Sequence, residues 1–599
     1  MSSWKSFLAL LLFFTCATCS LVDDIVDAIE NAVDCGSCHA LLVPLAGLAL
    51  LGDSAFSSTI TAVCKSLGVE DDDVCEGAIG QQGPILANNL RSISPFGQTA
   101  TKLCDSVFGL CQPPAVNKFT VPFPKPAPTN PKTFVSTGKP PIQVVHFSDV
   151  HIDRQYAAGS DVNCTKPICC RNYADHTGPP SVAAGPMGAH NCDTSPSLAQ
   201  SMLRAISANN AFSIFTGDVV EAAVWLVDRN EVTNDMSVFN NEMAELLGAP
   251  VYPAIAAPVN AFPRNTTSKA NAQWVFDAQS KGWTKWIGAA SATQVSHFSG
   301  SYSVVHPGTN LRIISINTVY WYKANFWLYD SDTLQPDPNG IIGFTVQELQ
   351  AAEDAGQRAW IIGHMPPGRQ DTLDDQSNYF DQVIQRYRNT IAGQFYGHSH
   401  QDEFALAYSD YSKQTAENAV SVGWIAPSLT PRNGNPAFKL YDVDPDTYEI
   451  MDARVFISDM DDPSFQTNPT WKLYYSARET YGPLVPDLKS TDALTPSFWH
   501  KVTEAFASND SAFQQYISFK NRGINIESCD AECKRVTICD LRALRAENNC
   551  DDATPGLNFR KRGDGAMRSA THDDDCEGTG LGHIFSKMPS KIVSTFKVY

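Results

Sequence analysis

Four short motifs place imidazole and carboxylate side chains directly after apolar stretches of the chain. The motifs are SDVHID, TGDVVEA, GHMPPG and GHSH, and their candidate metal ligands are Asp149, His151, Asp218, His364, His398 and His400. Imidazoles and carboxylates bind zinc and similar divalent cations, and a pair of such cations is typical of phosphoester hydrolysis. A single Gly-Asp pair or histidine is more often structural. Four such motifs in this order, each after an apolar stretch, are not explained by structural roles alone, and they predict a two-metal phosphoesterase site.

The apolar stretches before these motifs indicate the strands that position the ligands. IQVVHF, FSIF, AWII and IAGQFY each end in polar residues, and helical patterns at 197–208 and 345–355 lie between some of them. This alternation favours an α/β layered fold, in which strand carboxyl ends meet at one edge. In D-x-H and H-x-H, an extended backbone would point both side chains the same way. Asp153 has no ligand role in this scheme and is expected to be a solvated carboxylate.

The first 20 residues, MSSWKSFLALLLFFTCATCS, indicate a signal peptide. Lys5 precedes an apolar run that ends in small residues, which is the usual order of such peptides. The run is shorter than the ~20 apolar residues that a spanning helix needs. No later stretch of that length is free of charge, so we expect an exported protein without a transmembrane segment, secreted or lysosomal.

The composition of the 599-residue chain agrees with export. A net charge of -20 argues against a nucleic-acid partner, which normally requires a basic surface. Of 17 cysteines, Cys16 and Cys19 lie in the signal segment, and the remaining 15 predict disulfides and one unpaired thiol. Sequons begin at Asn163, Asn265 and Asn509, which are predicted glycosylation sites if they are exposed.

The region between the signal segment and the first motif has two parts. An amphipathic helix is predicted at 22–33, and six cysteines follow, namely Cys35, Cys38, Cys64, Cys75, Cys104 and Cys111. Six cysteines allow 15 connectivities, so spacing alone fits any helical domain held by disulfides. Residues 113–140 are rich in proline, which predicts a semi-rigid, extended linker.

Longer strings carry a family resemblance. HFSDVHIDRQY, GHMPPG, FYGHSHQDEF and YYSARETYG, together with the cysteine-rich helices and the proline linker, resemble acid sphingomyelinases of the calcineurin-like metallophosphoesterase superfamily up to about Cys550. The resemblance implies a monomeric, zinc-dependent phosphodiesterase that hydrolyses sphingomyelin to ceramide and phosphocholine at membrane surfaces. The implied domains are a saposin B-type domain at 21–112, a metallophosphoesterase β-sandwich flanked by helices at 141–454, and a C-terminal helical subdomain with an unassigned tail at 455–599.

The resemblance also implies roles for individual residues. The first zinc ligands would be Asp149, His151, Asp218 and His400, and the second zinc ligands would be Asp218, His364, His398 and an asparagine. The types of ligand alone would also suit manganese or iron in place of zinc. The implied disulfides are Cys35–Cys111, Cys38–Cys104, Cys64–Cys75, Cys164–Cys169, Cys170–Cys192, Cys529–Cys533 and Cys539–Cys550, which leaves Cys576 unpaired.

One segment of the family pattern is missing. Relatives carry Gly-Asn-His after a strand similar to VYPAI, but this chain reads VYPAIAAPVNAFP, so that the segment is absent between Ile255 and Pro258. The missing asparagine would complete the second zinc site, and the missing histidine would protonate the departing alkoxide. Asn260 would replace that asparagine only if the loop shifted. No general acid is therefore identified.

The missing segment leaves several functions open. General acid catalysis contributes about 10² to 10⁴ in rate, so we expect this chain to be impaired. The alternatives are an alternatively spliced, impaired isoform of an active enzyme, a pseudoenzyme with a lipid-binding role, and a sphingomyelinase-like phosphodiesterase that acts on nucleotides.

Overall fold

The computed structural model describes residues 22–206, 210–256, 272–524, 526, 528–550 and 584. Within these residues, five helices precede the first strand, namely α1 at 22–31, α2 at Cys35–Ala49, α3 at Asp53–Ser66, α4 at Asp72–Ser92 and α5 at Gln98–Ser106. The amphipathic pattern of α1 is realised, because Ile25 and Ile29 are buried. At the start of α2 the Asp34 carboxylate accepts a hydrogen bond from the Ser37 backbone N–H at 2.8 Å, which caps the helix.

Disulfides tie the helical unit together and also staple the rest of the chain. The described residues contain seven, which are Cys35–Cys111, Cys38–Cys104, Cys64–Cys75, Cys164–Cys169, Cys170–Cys192, Cys529–Cys533 and Cys539–Cys550. They join the same pairs that the family resemblance implies. Cys576 lies outside the described residues.

Twelve strands follow in the described part of the chain. They are β1 Ile142–Phe147, β2 Phe212–Phe215, β3 Val251–Pro253, β4 Tyr302–Val305, β5 Leu311–Ser315, β6 Arg358–Ile362, β7 Ile391–Tyr396, β8 Glu403–Tyr408, β9 Ala419–Ile425, β10 Ala437–Val443, β11 Ile450–Ser458 and β12 Trp471–Ser476. They form two mixed sheets of six strands, in the orders β12-β11-β10-β1-β2-β3 and β4-β5-β6-β7-β9-β8. The mixed α/β class predicted from the sequence is confirmed.

Aromatic side chains fill the space between the two sheets. Ring centroids lie 5.6 Å apart for Phe212 and Trp360, and 5.5 Å apart for Phe395 and Tyr441. Each of these pairs joins a strand of one sheet to a strand of the other. The sheets therefore pack face to face, and this aromatic layer is the core on which the strand ends are fixed.

Helices cover the sheets. They are α6 Pro196–Ala205, α7 Arg229–Leu246, α8 Gln273–His297, α9 Ile341–Asp354, α10 Asp374–Tyr387, α11 Ala477–Tyr481, α12 Pro496–Ser508, α13 Asp510–Lys520 and α14 Ala531–Leu541. Short 3₁₀ turns occur at Thr318–Trp321, Phe326–Tyr329, Pro338–Gly340, Gly482–Leu484 and Ala546–Asn548. Among the described helices, none has both the length and the apolar character needed to span a bilayer.

The domain boundary expected at 454 is wrong, because it falls inside β11. This strand pairs with β10 from Ile450 to Ile457, and β12 adds to the same sheet on the far side of β11. The C-terminal helices share this core, since the ring centroid of Trp499 in α12 lies 4.2 Å from that of Phe404 in β8. The sheet therefore continues to Ser476, and the helices beyond it pack on the second sheet.

The proline-rich segment is extended, as expected, but it is held along the surface of the α/β unit. The backbone N–H of Asn117 donates to Asp375 at 2.7 Å, and that of Val121 donates to Gln382 at 3.0 Å. Proline prevents helix and sheet formation, so side chains of α10 satisfy these backbone groups instead.

The helical unit is docked onto the α/β unit. Asn89 in α4 donates to the backbone oxygen of Phe326 at 2.6 Å. In α5, Lys102 pairs with Asp375 at 2.7 Å and Asp105 pairs with Lys323 at 2.8 Å. The two units therefore share buried polar contacts and one continuous hydrophobic core.

Candidate metal centre

Four strand ends converge on one site. β1 and β2 are parallel neighbours in the first sheet, and β6 and β7 are parallel neighbours in the second. The residues that follow these strands are Asp149 and His151 after β1, Asp218 after β2, His364 after β6, and His398 and His400 after β7. All six are buried, and none is more than 6% exposed. Each sheet thus contributes one pair of adjacent parallel strands to the site, whereas the sequence had indicated the edge of a single sheet.

Five of these six residues have a left-handed backbone conformation, which directs their side chains into the site. Positive φ angles occur at Asp149 (49°), His151 (36°), Asp218 (63°), His398 (74°) and His400 (58°). The prediction that D-x-H and H-x-H lie in extended backbone is therefore wrong. Non-glycine residues adopt this conformation at a cost of roughly 1 to 3 kcal/mol each, and such strain is typical of functional sites.

Backbone hydrogen bonds hold these turns in place. The N–H of Asp149 donates to Gly217 O at 2.9 Å, and that of His151 donates to Asp218 O at 3.1 Å. The strand ends also approach closely, because a Cβ on Gly397 would lie 2.0 Å from the Ser148 hydroxyl oxygen. The glycine that precedes the H-x-H motif is therefore required by the contact between β1 and β7.

The donor atoms form two triads that share Asp149. The triads are Asp149–His151–His400 and Asp149–Asp218–His364, and within each the donor atoms lie within 4.8 Å of one another. Asp218 Oδ2 is 3.4 Å from His151 Nε2 and 3.6 Å from His364 Nε2, so it reaches both triads. His151 Nε2 and His400 Nε2 are 3.1 Å apart. Ligands of zinc with bonds of about 2.0 to 2.1 Å are roughly 3 to 3.5 Å apart, so the donor set fits two divalent cations.

Hydrogen bonds on the far side of two rings orient them toward these cations. His151 Nδ1 lies 2.9 Å from the carbonyl oxygen of Val220, and His364 Nδ1 lies 2.8 Å from that of Thr216. A carbonyl only accepts, so each Nδ1 carries the proton and donates it. The lone pair is then at Nε2, which is the nitrogen that faces the carboxylates.

Burial also keeps these imidazoles neutral. It holds the pKa of His151 well below its usual range, and the neighbouring His400 adds to this effect. Burial lowers the pKa of His364 to about 4, although the nearby Asp149 carboxylate opposes the shift. Neutral imidazole is the form that binds metal, so both rings remain competent ligands at mildly acidic pH.

His398 lies beside the triads rather than within them. Its ring centroid is 5.2 Å from that of His364, and its backbone N–H donates to both carboxylate oxygens of Asp149 at 3.0 Å. Its Nε2 atom is 2.5 Å from Asp371 Oδ2. Burial alone would lower the pKa of His398, but Asp371 more than offsets this and the pKa is raised. Asp371 was not found by sequence reasoning, since no spacing in GHMPPGRQDT sets it apart.

The expectation that Asp153 is a solvated carboxylate is wrong. Asp153 is fully buried, and its Oδ2 lies 2.7 Å from Arg171 Nε. Arg171 also pairs with Glu221 at 2.7 Å, so one guanidinium serves two buried carboxylates. Burial raises the pKa of Glu221 to about 8, even though Arg171 opposes the shift. Glu221 lies in TGDVVEA, but nothing in that motif indicated its contact with Arg171, which is 50 residues away in sequence.

Some predicted residues are placed outside the metal centre or outside the described residues. Asn163 and Asn509 are exposed, and Asn509 caps α13 by accepting a hydrogen bond from Ala512 N at 3.2 Å. Glycosylation at these positions stays a prediction. Asn260 and Asn265 lie outside the described residues.

Two packed mixed sheets that present a buried histidine and carboxylate cluster at four strand ends define a metal-dependent phosphoesterase type of site. Comparison with known proteins narrows this class. Residues 416–552 match the family model described as the acid sphingomyelin phosphodiesterase C-terminal region. The chain belongs to the acid sphingomyelinase family and is by family a phosphodiesterase.

Three relatives illustrate the extent of the similarity. Sphingomyelin phosphodiesterase B of Dictyostelium discoideum is 29% identical over 80% of this chain and 75% of its own length. Sphingomyelin phosphodiesterase of Bos taurus is 31% identical over 68% of this chain and 65% of its own length, so the match spans less than two thirds of that relative. Sphingomyelin phosphodiesterase 2 of Caenorhabditis elegans is 29% identical over 84% of this chain and 85% of its own length.

Proposed function

We propose that this chain is a zinc-dependent phosphodiesterase that hydrolyses sphingomyelin to ceramide and phosphocholine. The observation that carries the proposal is the buried cluster of imidazole and carboxylate donors in a member of the acid sphingomyelinase family. The donors are nitrogen and oxygen atoms without thiolates, which suits zinc in an oxidising compartment.

The proposal assigns each ligand to one cation or to both. One cation would be held by Asp149, His151, Asp218 and His400, and the second by Asp218, His364 and His398. When bound, two such cations supply Lewis acidity to the phosphate oxygens and lower the pKa of an attacking water. The carbonyl oxygens of Val220 and Thr216 orient His151 and His364.

The reaction consumes one water molecule. A bond forms between the water oxygen and phosphorus, and the bond between phosphorus and the ceramide oxygen breaks. One proton from the water is delivered to the ceramide oxygen through solvent, because the histidine that donates it in the family belongs to the segment missing after Ile255. We therefore expect turnover about 10² to 10⁴ below that of a relative with an intact segment.

We also propose that the chain is exported and acts at a lipid surface as a monomer. The seven disulfides support an oxidising compartment such as the extracellular space or the lysosome. Leu50, Leu51 and Phe96 of the helical unit are 75%, 67% and 70% exposed, which supports contact with lipid.

The test compares two substrates. The exported protein is supplied with zinc and incubated at mildly acidic pH with vesicles containing sphingomyelin, and released phosphocholine is measured. Soluble nucleotide phosphodiesters are tested in parallel, and Asp218→Asn is the matched inactive control. Sphingomyelin hydrolysis that is lost in the variant supports the proposal. Preference for nucleotides rejects the lipid substrate, and vesicle binding without turnover favours the lipid-binding pseudoenzyme.

A further inference from the structure

The second cation position depends on the orientation of one ring. His398 belongs to neither triad of close donors, and its side chain can present only one of its two nitrogens to a cation. Asp371 Oδ2 lies 2.5 Å from Nε2, and both side chains are buried. A carboxylate at this distance accepts a hydrogen bond from Nε2–H, so the lone pair of the neutral ring is at Nδ1.

We propose that Asp371 is a positioning residue that fixes the tautomer and the ring plane of His398, so that Nδ1 binds the second cation. This inference rests on the metal centre proposed above. Carboxylates that accept a hydrogen bond from a metal-binding histidine recur in metalloproteins, and their loss typically weakens metal binding about 10- to 100-fold.

Neighbouring contacts fix both partners of this pair. The ring of Tyr322 meets that of His398 edge to face, with centroids 5.1 Å apart and planes at 82°. The backbone oxygen of Asp371 accepts a hydrogen bond from Lys323 N at 2.8 Å. The Lys323 ammonium in turn pairs with Asp105 of the helical unit at 2.8 Å. The backbone of Asp371 is therefore fixed by Lys323 while its carboxylate faces His398.

The loop that carries Asp371 begins at one proposed metal ligand, His364, and contacts a second, His398, through Asp371. It is closed by hydrogen bonds from the Thr372 hydroxyl to Pro366 O at 3.0 Å and from Thr372 N to Arg369 O at 3.1 Å. One short loop thus supplies a ligand at its start and the orienting carboxylate of another ligand near its end. In a chain without the family's asparagine, the second cation relies more heavily on these two histidines.

The test measures zinc binding rather than turnover. Metal-free protein is titrated with zinc chloride against a chromophoric chelator, and bound zinc per chain is counted. We expect Asp371→Ala to weaken the second binding step about 10- to 100-fold and to leave the first within twofold. Asp371→Asn should show a smaller loss, because the amide oxygen can still accept from Nε2. This milder variant also covers the case in which Asp371→Ala does not fold.

Asp375→Asn is the matched control. Asp375 is also a buried carboxylate and lies four residues along the same segment, but it pairs with Lys102. An equal loss of zinc in Asp375→Asn, or an unchanged second step in Asp371→Ala, would overturn the proposal. A wild-type chain that binds a single zinc would overturn it as well. If two zinc ions bind but no phosphocholine is released, the proposed function fails while the role of Asp371 stands.

Discussion

A Cβ atom on Gly217 would lie 2.8 Å from the Cβ of Ala256 and 2.9 Å from its backbone nitrogen. Gly217 has a φ of 100° and precedes Asp218, whereas Ala256 follows β3. The end of β3 therefore lies directly against the turn that carries Asp218. Since the Gly-Asn-His segment is missing after Ile255, it would begin beside the metal centre.

Restoring that segment should raise activity. We expect an insertion of Gly-Asn-His between Ile255 and Pro258 to increase sphingomyelin turnover about 10²- to 10⁴-fold, because it supplies a general acid. The measurement is initial phosphocholine release at saturating zinc. An insertion of Gly-Ala-Ala at the same position controls for loop length. Equal activity of the two insertions would contradict the role given to the segment.

Zinc should stabilise the folded chain through Asp218. A ligand present at a thousandfold excess over its dissociation constant stabilises the native state by about 4 kcal/mol. We expect zinc to raise the melting temperature of the wild type and a chelator to reverse the increase. Asp218→Asn, which removes the carboxylate that reaches both triads, should abolish most of the shift. Asp410→Asn, at an exposed carboxylate, should retain it, and a loss in this control would indicate a non-specific effect.

The metal centre was predictable from the sequence because its ligands occur in short motifs. IQVVHF, FSIF, AWII and IAGQFY predicted β1, β2, β6 and β7, and polar residues after a buried strand end indicate the edge of a sheet. The left-handed turns at Asp149 and His398 were not predictable, because a positive φ angle is uncommon for any residue other than glycine. Their conformation is imposed by tertiary contacts, such as the approach of Gly397 to Ser148.

Contacts between distant segments could not be predicted either. Asp371 meets His398 only because the loop after β6 folds toward the end of β7, and neither sequence position indicates this. Asp153 looked like a solvated carboxylate because its partner Arg171 lies in a segment fixed by the Cys170–Cys192 disulfide. The boundary placed at 454 failed for a different reason, because β10 and β11 are neighbours in sequence that pair as antiparallel strands, and the helical segments begin only after Ser476.

Arg171 should be essential to stability because it neutralises two buried carboxylates. Removing one partner of a buried ion pair costs about 3 to 5 kcal/mol, so Arg171→Met should lower the free energy of unfolding by that amount at about pH 9, where Glu221 with its pKa of about 8 is ionised in the wild type. The loss should shrink at lower pH, where protonation of Glu221 and Asp153 removes the unpaired charge. Denaturant unfolding of the wild type and the variant at two pH values measures this loss of stability. Arg535→Met, in the exposed pair with Glu532, should have no measurable effect. A cost that does not depend on pH would show that Arg171 acts through packing alone.

Asp381 should make the stability of the chain depend on pH. Burial raises its pKa from 3.8 to about 6, although Arg545 opposes the shift at 3.6 Å. The folded state therefore holds this proton more tightly than the unfolded chain, so the stabilisation is complete below about pH 4 and is lost as pH rises through about 6. Asp381→Asn cannot ionise and leaves Arg545 paired with Glu547 at 3.1 Å. Relative to wild type, the variant should gain about 2 kcal/mol in unfolding free energy between pH 4 and pH 7. Denaturant unfolding across this range measures the difference, and a constant difference would show that the carboxyl does not titrate there.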